Sequence, residues 1–218
     1  MRFRPCIDLH GGRVKQIVGN TLTDDGEPTT NFDTDKRAAE YARLYRDDGL
    51  VGGHVIMLGP GNEAAAREAL ENFPGGLQVG GGIERSNAES WLAAGAAAGI
   101  VTSTIFVGGH LDRDRLESMA DQVGRDRLVL DLSCREESGN YVAMTDRWQT
   151  RTDVTIDAAT LGELSQYCSE FLIHAIDKEG QITGIDGRLL ALLTDIVPSQ
   201  VTYAGGISSL MDLDTILK

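Results

Sequence analysis

Short apolar segments alternate with longer amphipathic segments along the chain. The apolar segments are rich in aliphatic and β-branched residues, which predicts strands near residues 4–8, 53–58, 77–80, 99–103, 127–132, 170–176 and 200–204. The amphipathic segments repeat apolar residues at helical spacing, which predicts helices near residues 35–48, 62–72, 86–95, 112–122, 158–167, 186–195 and 209–217. Strict alternation of strands and helices is typical of a parallel sheet with helical crossovers, so we predict an α/β fold.

One polar segment interrupts this alternation. Residues 135–153 lie between the fifth strand and its helix, and they contain a strand-like piece at 141–144 as well as Trp148. No linker rich in Pro or Ser divides the chain, so we expect a single domain over residues 1–218.

Two motifs occur twice, in the same order and at nearly the same spacing. Asp8 ends the first predicted strand and Asp131 ends the fifth, 123 residues later. A Gly-Gly-Ile motif follows the third strand at Gly81 and the seventh strand at Gly205, 124 residues later. The repeat predicts two homologous half-barrels, about residues 1–123 and 124–218, in a (β/α)8 TIM barrel.

The fourth strand ends at residues 100–104. The same repeat places its equivalent in the second half at about residues 224–228, which is beyond Lys218. Barrels of this kind run to roughly 250 residues. We therefore expect about seven of the eight βα units in this sequence, either as a fragment of a longer gene product or as a truncated barrel. A truncated barrel would expose the edges of its first and last strands, so we expect low stability or activity in that case.

Composition argues against several classes of protein, including nucleic-acid-binding, membrane and metal-binding proteins. The 218 residues include 33 Asp and Glu against 20 Lys and Arg, a formal net charge of −13, which argues against nucleic acid or an anionic membrane as a partner. No apolar run approaches the roughly 20 residues of a membrane helix. The three cysteines are odd in number and far apart, which favours a reducing, cytoplasmic compartment. The four scattered histidines give no sign of a metal site.

The two repeated aspartates are the strongest candidates for chemistry. Asp8 and Asp131 each follow an apolar strand, at the end where barrels place active sites, and the repeat predicts that they face each other across the barrel mouth. Two opposed carboxyl groups in a partly dry site can have their pKa values pushed apart, so that one acts as general base and the other as general acid. The structural alternative is that each aspartate caps the following turn or pairs with an arginine.

The glycine motifs predict two anion sites at the same mouth. Glycines between a strand and a helix let backbone amides close on an anion, and nearby hydroxyls add donors. Two such sites on opposite sides of a barrel suggest a substrate with a phosphate at each end, whereas the alternative is that the glycines only turn tight loops. The candidate phosphate ligands are Gly81, Gly82, Thr102, Ser103, Gly205 and Gly206.

Further side chains could contact a substrate. His174 lies near the mouth on the sixth strand, although a strand histidine is more often a core residue. Trp148 could stack on a planar heterocycle, or it could instead fasten the polar insertion to the barrel. Arg13 follows the first strand and could reach the rim. Cys6 and Cys134 flank the aspartates without a partner histidine in sequence, so covalent catalysis is the minor alternative.

Four segments together resemble a known family. They are Arg4–Leu9, Gln78–Ile83, Leu128–Arg135 and Tyr203–Ile207. They resemble the phosphoribosylformimino-5-aminoimidazole carboxamide ribotide isomerases of histidine biosynthesis, often called the HisA family. The resemblance covers essentially the whole chain, and it is closest to the eukaryotic-type branch, which has counterparts of residues 52–59, 145–149 and 171–175.

The resemblance implies an Amadori rearrangement of a linear substrate with a phosphate at each end, without a metal or an organic cofactor. Asp131 would protonate the ring oxygen and open the ring to a Schiff base, and Asp8 would take the proton from C2′. The two phosphates would occupy the two glycine sites. Trp148 would stack on the imidazole of the substrate, and His174 would contact the substrate. The family is usually monomeric, so we expect a monomer.

Two alternatives remain open on sequence alone. The sister cyclase of the same pathway, called HisF, shares the half-barrel repeat and the two aspartates, although the second and sixth strands fit the isomerase better. A truncated barrel could also be a non-catalytic remnant that kept its aspartates by descent. Ammonia-dependent turnover of the isomerase product would identify the cyclase, and failure to complement a histidine auxotroph would favour the remnant.

Overall fold

The computed structural model describes residues 2–18, 21, 29–181, 183–196 and 200–216. The strands in this part of the chain are β1 (Cys6–His10), β2 (Arg13–Ile17), β3 (Thr30–Asp33), β4 (Gly53–Met57), β5 (Leu77–Gly80), β6 (Gly99–Val101), β7 (Phe106–Val107), β8 (His110–Leu111), β9 (Leu128–Asp131), β10 (Cys134–Glu137), β11 (Asn140–Thr145), β12 (Thr150–Thr155), β13 (Glu170–His174) and β14 (Gln200–Ala204). The α-helices are α1 (Ala38–Asp47), α2 (Glu63–Asn72), α3 (Ala88–Ala93), α4 (Arg113–Val123), α5 (Ala158–Leu164), α6 (Gly187–Ile196) and α7 (Leu210–Ile216).

A nine-stranded sheet forms the centre of the fold, with strand order β14-β13-β9-β6-β5-β4-β1-β2-β3. Its strands from β14 to β1 are parallel, and each is followed along the chain by one helix. The described residues therefore contain seven successive βα units. This arrangement confirms the predicted α/β fold of the TIM-barrel class.

The first strand is followed by a hairpin that the hydrophobic pattern does not predict. β1 covers Cys6–His10 rather than residues 4–8, because Pro5 has no N–H to donate to a ladder. Gly11 and Gly12 then have φ values of +59° and +76°. These positive φ angles suit the two-residue turn of an antiparallel hairpin, so the chain returns as β2 and pairs with β1.

The polar insertion also holds more structure than the single strand predicted there. It forms an antiparallel sheet in the order β10-β11-β12. Ser138 and Gly139, with φ values of +50° and +87°, make the tight turn between β10 and β11. The insertion is therefore a small folded sheet, and the connection between β11 and β12 carries Trp148.

Side chains on the strands alternate between two apolar environments. The outward residues Ile7, Leu9 and Val79 belong to one buried cluster that also contains Leu70 of α2 and Leu116 of α4. The inward residues form a separate cluster, which consists of Ile56, Ala98, Ile100, Val129, Leu172 and Ala204. The period of two along each strand therefore places an apolar layer in the middle of the barrel interior.

Polar side chains lie in the interior beneath this apolar layer. Glu170, buried at the amino-terminal end of β13, has Arg4 Nη1 at 2.8 Å from both of its carboxylate oxygens. Gln78 of β5 donates to it at 2.8 Å, and Gln200 and Thr202 of β14 donate at 3.3 Å and 2.5 Å. We call these five residues the Glu170 cluster. Because Arg4 lies two residues before β1 and Glu170 lies on β13, next to the last parallel strand, the ion pair connects strands from opposite sides of the strand order.

We expect Glu170→Leu to lower the free energy of unfolding by about 3–5 kcal/mol, because it leaves the largely buried Arg4 and the neighbouring donors without their acceptor. The double variant Arg4→Met/Glu170→Leu should recover much of that loss, since it removes the uncompensated charge as well. Urea unfolding followed by circular dichroism measures both. A loss below about 1 kcal/mol for the single variant would mean that the pair behaves as an exposed one.

Candidate active site

A cavity of about 880 Å³ opens at the carboxyl ends of the parallel strands. Asp8 of β1, Asp131 of β9 and His174 of β13 all line it, together with the loops that follow β5 and β6. Asp131 and His174 each come two residues after an inward member of the apolar layer, so the alternation of side chains points them to the same side of the sheet. The structure therefore brings the two repeated aspartates to one cavity at the barrel mouth.

Asp8 is half-buried at the end of β1. Burial, together with the nearby Glu179 carboxylate, raises the pKa of Asp8 to about 6, although the hydrogen bond from Cys6 and the interaction with His174 lower it in part. The Cys6 thiol donates a hydrogen bond to Asp8 Oδ1 at 3.0 Å. A carboxyl group with this pKa is mostly ionised at neutral pH and can still accept a proton efficiently, which suits a general base.

Asp131 is held by two hydroxyl groups. Ser133 Oγ donates to Asp131 Oδ1 at 2.9 Å, and Thr102 Oγ1 donates to Asp131 Oδ2 at 3.3 Å. Burial raises the pKa of Asp131, and His174 and these two hydroxyls partly offset the rise. The hydroxyl of Thr102, which the sequence predicts as a phosphate ligand, therefore points to a catalytic candidate instead.

His174 lies between the aspartates and the Trp148 loop. Its charge interacts with both Asp8 and Asp131. Its Nε2 lies 3.8 Å from Glu179 Oε2, and its ring centroid lies 6.3 Å from that of Trp148. His174 Nδ1 is buried and has no hydrogen-bond partner among the described residues. The imidazole thus lines the cavity while its Nδ1 atom is enclosed by protein and unpaired among the described residues.

Trp148 lies at the cavity on an unusual turn. The connection from β11 to β12, residues 146–149, is called the Trp148 hairpin here. Asp146, Arg147 and Trp148 have φ values of +51°, +55° and +66°, a left-handed conformation that is unfavourable for residues other than glycine. The hairpin holds the indole beside His174, in the position expected of a side chain that stacks on a substrate ring.

The first glycine pair also lines the cavity. Gly81 and Gly82 have φ values of +88° and +72°, and a Cβ atom on Gly81 would collide with the backbone carbonyl of Met57 at the end of β4. Only glycine allows this close approach, so the backbone after β5 is fixed against the neighbouring strand. Ser103, in the loop after β6, lines the same wall and is exposed to it.

The second glycine pair repeats this conformation but lies outside the cavity lining. Gly205 has a φ value of +104°, and a Cβ atom there would lie 2.8 Å from the carbonyl oxygen of Ala175 at the end of β13. Gly206 packs against the carbonyl of Gly184. The next donors along the chain, the amides and hydroxyls of Ser208 and Ser209, all bond to one carboxylate oxygen of Asp212.

Arg13, predicted as a substrate contact, is not among the described residues that line the cavity. It sits on β2, where its guanidinium donates to Asp33 at 2.9 Å and to Asp35 at 3.0 Å. These two carboxylates, one on β3 and one in the turn after it, accept the hydrogen bonds of the Arg13 guanidinium. Covalent catalysis also loses support, because Cys6 uses its S–H on Asp8 and burial raises the pKa of the Cys134 thiol.

Glu179 is a site residue that the sequence pattern does not single out. It lies in the loop after β13, lines the cavity and contacts His174. The general rule that barrel loops after strands carry active-site residues is the signal that points to it. The described cavity wall is strongly acidic, because it contains six carboxyl side chains and only two arginines. The carboxyl side chains are those of Asp8, Glu63, Glu84, Asp131, Asp146 and Glu179, and the arginines are Arg115 and Arg147.

Comparison with known proteins identifies the family. Residues 2–218 match the family described as histidine biosynthesis protein. The chain belongs to this family. A chloroplastic protein of Medicago truncatula is 53% identical over 99% of this chain and 72% of its own length. Relatives from Neurospora crassa and Saccharomyces cerevisiae are 50% and 47% identical, over 99% of this chain and 85% of theirs. Each is named 1-(5-phosphoribosyl)-5-((5-phosphoribosylamino)methylideneamino)imidazole-4-carboxamide isomerase.

Two features are absent from the described residues of this family member. No group of three or more His, Cys, Asp or Glu side chains there is arranged to hold a metal ion. No helix in the same part of the chain is long and apolar enough to cross a membrane.

We expect Cys6→Ala to raise the pKa of Asp8 above its value of about 6, because the lost S–H bond stabilises the ionised carboxylate. Cys6→Ser, which keeps a donor at the same position, should leave the pKa close to that of the parent protein. Carboxyl carbon NMR of aspartate-labelled protein, assigned with Asp8→Asn, measures the titration. An unchanged or lower pKa in the alanine variant would show that the thiol does not act on Asp8.

Proposed function

We propose that this protein is the aldose–ketose isomerase of histidine biosynthesis, and that it performs an Amadori rearrangement on a ribotide with a phosphate at each end. The observation that carries this proposal is the pair of repeat-related aspartates on one cavity wall, both with a pKa raised by burial. Its relatives in the same family bear the name of that isomerase.

Asp131 is assigned the role of general acid. Burial raises its pKa, which favours the protonated form that a general acid needs, and the hydroxyls of Ser133 and Thr102 fix the direction of its carboxyl group. Asp131 gives its proton to the furanose ring oxygen as the bond from that oxygen to C1′ breaks. The lone pair of the attached nitrogen then forms the C=N bond of a protonated Schiff base, so charge and atoms balance.

Asp8 is assigned the role of general base. It removes the proton from C2′ of the Schiff base, and the electrons of the C–H bond form a C1′=C2′ double bond while the C=N π electrons return to nitrogen. The resulting enol-amine loses its hydroxyl proton and gains a proton at C1′, which gives the aminoketose. These last transfers restore both carboxyl groups to their starting states, and the net reaction is an isomerisation.

Neutral donors hold the ends of the substrate in this proposal. The backbone at Gly81 and Gly82 and the hydroxyl of Ser103 bind one phosphate, whereas the Thr102 hydroxyl orients Asp131. Gly205 and Gly206 are assigned to the other phosphate on the strength of the repeat and of their shared backbone conformation.

The remaining assignments concern the middle of the substrate and the setting of the enzyme. Trp148 stacks on the imidazole of the substrate, and His174, which lines the cavity next to Trp148, contacts the substrate beside it. We infer a monomer in a reducing, cytoplasmic compartment, and the observation that all three cysteines are free supports the redox part of that inference.

Conversion of the bis-phosphorylated aminoaldose by the purified protein tests the activity. We expect turnover without ammonia, detected by coupling to a cyclase that consumes the ketose, and complementation of a histidine auxotroph that lacks the isomerase. The sister cyclase would instead require ammonia and would act on the ketose itself. A folded protein that neither turns over the substrate nor complements the auxotroph would reject the proposal in favour of a non-catalytic barrel.

We expect Asp8→Asn and Asp131→Asn each to lower kcat by about 10²-fold or more, because each removes a positioned proton donor or acceptor. The base must be ionised to act, so kcat/KM of the parent protein should fall as the pH drops below about 6, the pKa of Asp8. Asp33→Asn, which changes an exposed carboxylate away from the cavity, serves as the control and should leave kcat unchanged. Rates close to those of the parent protein in either active-site variant would refute the role assigned to it.

A further inference from the structure

The hydroxyl of Ser103 joins two parts of the cavity wall that are far apart in sequence. Ser103 lies in the loop after β6, and its Oγ accepts a hydrogen bond from Thr145 Oγ1 at 2.7 Å and another from the Asp146 amide at 3.2 Å. Thr145 is the last residue of β11 and is buried, and Asp146 begins the Trp148 hairpin. The loop after β6 is therefore bonded directly to the start of that hairpin.

These two hydrogen bonds leave the O–H donor of Ser103 unused. A serine hydroxyl has two acceptor lone pairs and one O–H donor, and Thr145 and Asp146 fill the acceptor side. No partner for the Ser103 O–H is present among the described residues, and the side chain is exposed on the cavity wall. The remaining hydrogen is thus available to a ligand in the cavity, and an anion is the partner that an unpaired O–H donor favours.

A hydroxyl that accepts two hydrogen bonds is polarised and becomes a stronger donor, and donation to an anion in turn makes it a stronger acceptor. An anion at Ser103 therefore strengthens the bonds to Thr145 and Asp146. By linkage, those bonds strengthen anion binding by the same factor.

The Trp148 hairpin needs such an attachment. Three consecutive residues other than glycine, Asp146, Arg147 and Trp148, have left-handed backbone conformations, and each costs about 1 kcal/mol or more in strain. Such conformations persist only where surrounding contacts fix them. The bonds from Ser103 hold the residue at which this strained stretch begins, so a change in their strength alters how firmly Trp148 is placed beside His174.

We propose that Thr145 is a positioning residue, which couples phosphate binding at Ser103 to the placement of Trp148 over the cavity. The proposal rests on the proposed function only in taking Ser103 as a phosphate contact. In this proposal the hydrogen bond between the Thr145 and Ser103 hydroxyls connects the phosphate end of the substrate to Trp148, which covers the substrate's ring.

Acrylamide quenching of Trp148 fluorescence, with inorganic phosphate as the probe, tests this coupling. The buried Trp91 is changed to Phe in every protein, so that Trp148 is the single tryptophan. Phosphate should reduce the quenching of Trp148 in this background. Thr145→Val, which keeps the shape but removes the O–H donor, should abolish that reduction and weaken phosphate binding by about fivefold, a typical coupling factor. Thr145→Ser, which restores the donor, should restore both effects.

Further variants keep the outcome decisive. Thr145→Ala replaces the valine variant if the latter does not fold, and phosphate affinity is measured separately by calorimetry. Undiminished protection of Trp148 in the valine or alanine variant would overturn the proposal, as would phosphate binding without any protection in the Trp91→Phe background. Failure to detect phosphate binding in that background would also count against it. None of these readouts requires turnover, so a protein without isomerase activity could still show the coupling, and an active isomerase could lack it.

Discussion

The small number of side chains that fit across the barrel interior controls where charge can lie in this protein. Glu170 occupies the lower layer, where Arg4 and three neutral side chains supply donors to both of its oxygens. The middle layer is apolar. Asp8 and Asp131 lie at the carboxyl ends of their strands with fewer hydrogen-bond donors, and burial therefore raises the pKa of each. One constraint thus produces both a paired carboxylate at one end of the barrel and reactive carboxyl groups at the other.

The acidic cavity wall places a second limit on function. Six carboxyl side chains in the described wall face two arginines, so a substrate with two phosphates gains little from the net field. Phosphate recognition must then depend on oriented amides and hydroxyls close to each phosphate, which act over short distances. The raised pKa of Asp131 favours its uncharged form, so the property that suits this carboxyl group to donate a proton also makes the site more receptive to an anion.

The sequence was enough to predict the parallel strands, the helices and the two aspartates, because each depends on local periodicity or on the internal repeat. It did not predict the partners of polar side chains. The position of Thr102 and Ser103 after a strand predicts phosphate ligands. In the structure Thr102 donates to Asp131, 29 residues away in sequence, and Ser103 accepts from Thr145, 42 residues away. The ion pairs of Arg13 are not predictable from the sequence for the same reason, because its carboxylate partners on and beyond β3 approach it only once the hairpin is folded. The turn residues Gly11 and Gly12 were a usable local signal for that hairpin.

The two glycine motifs share one backbone feature but differ in their surroundings. Gly81 and Gly205 each approach the carbonyl at the end of the preceding parallel strand, with similar positive φ angles, as the predicted repeat leads us to expect. After the first pair, Ser103 remains open to the cavity. After the second, the spacing Ser209-x-x-Asp212 forms a helix-capping arrangement in which a carboxylate takes the donors of Ser208 and Ser209. A phosphate at the second site must therefore bind through the glycine backbone itself or displace Asp212, and this makes the two ends of the proposed site chemically unequal although their backbones are alike.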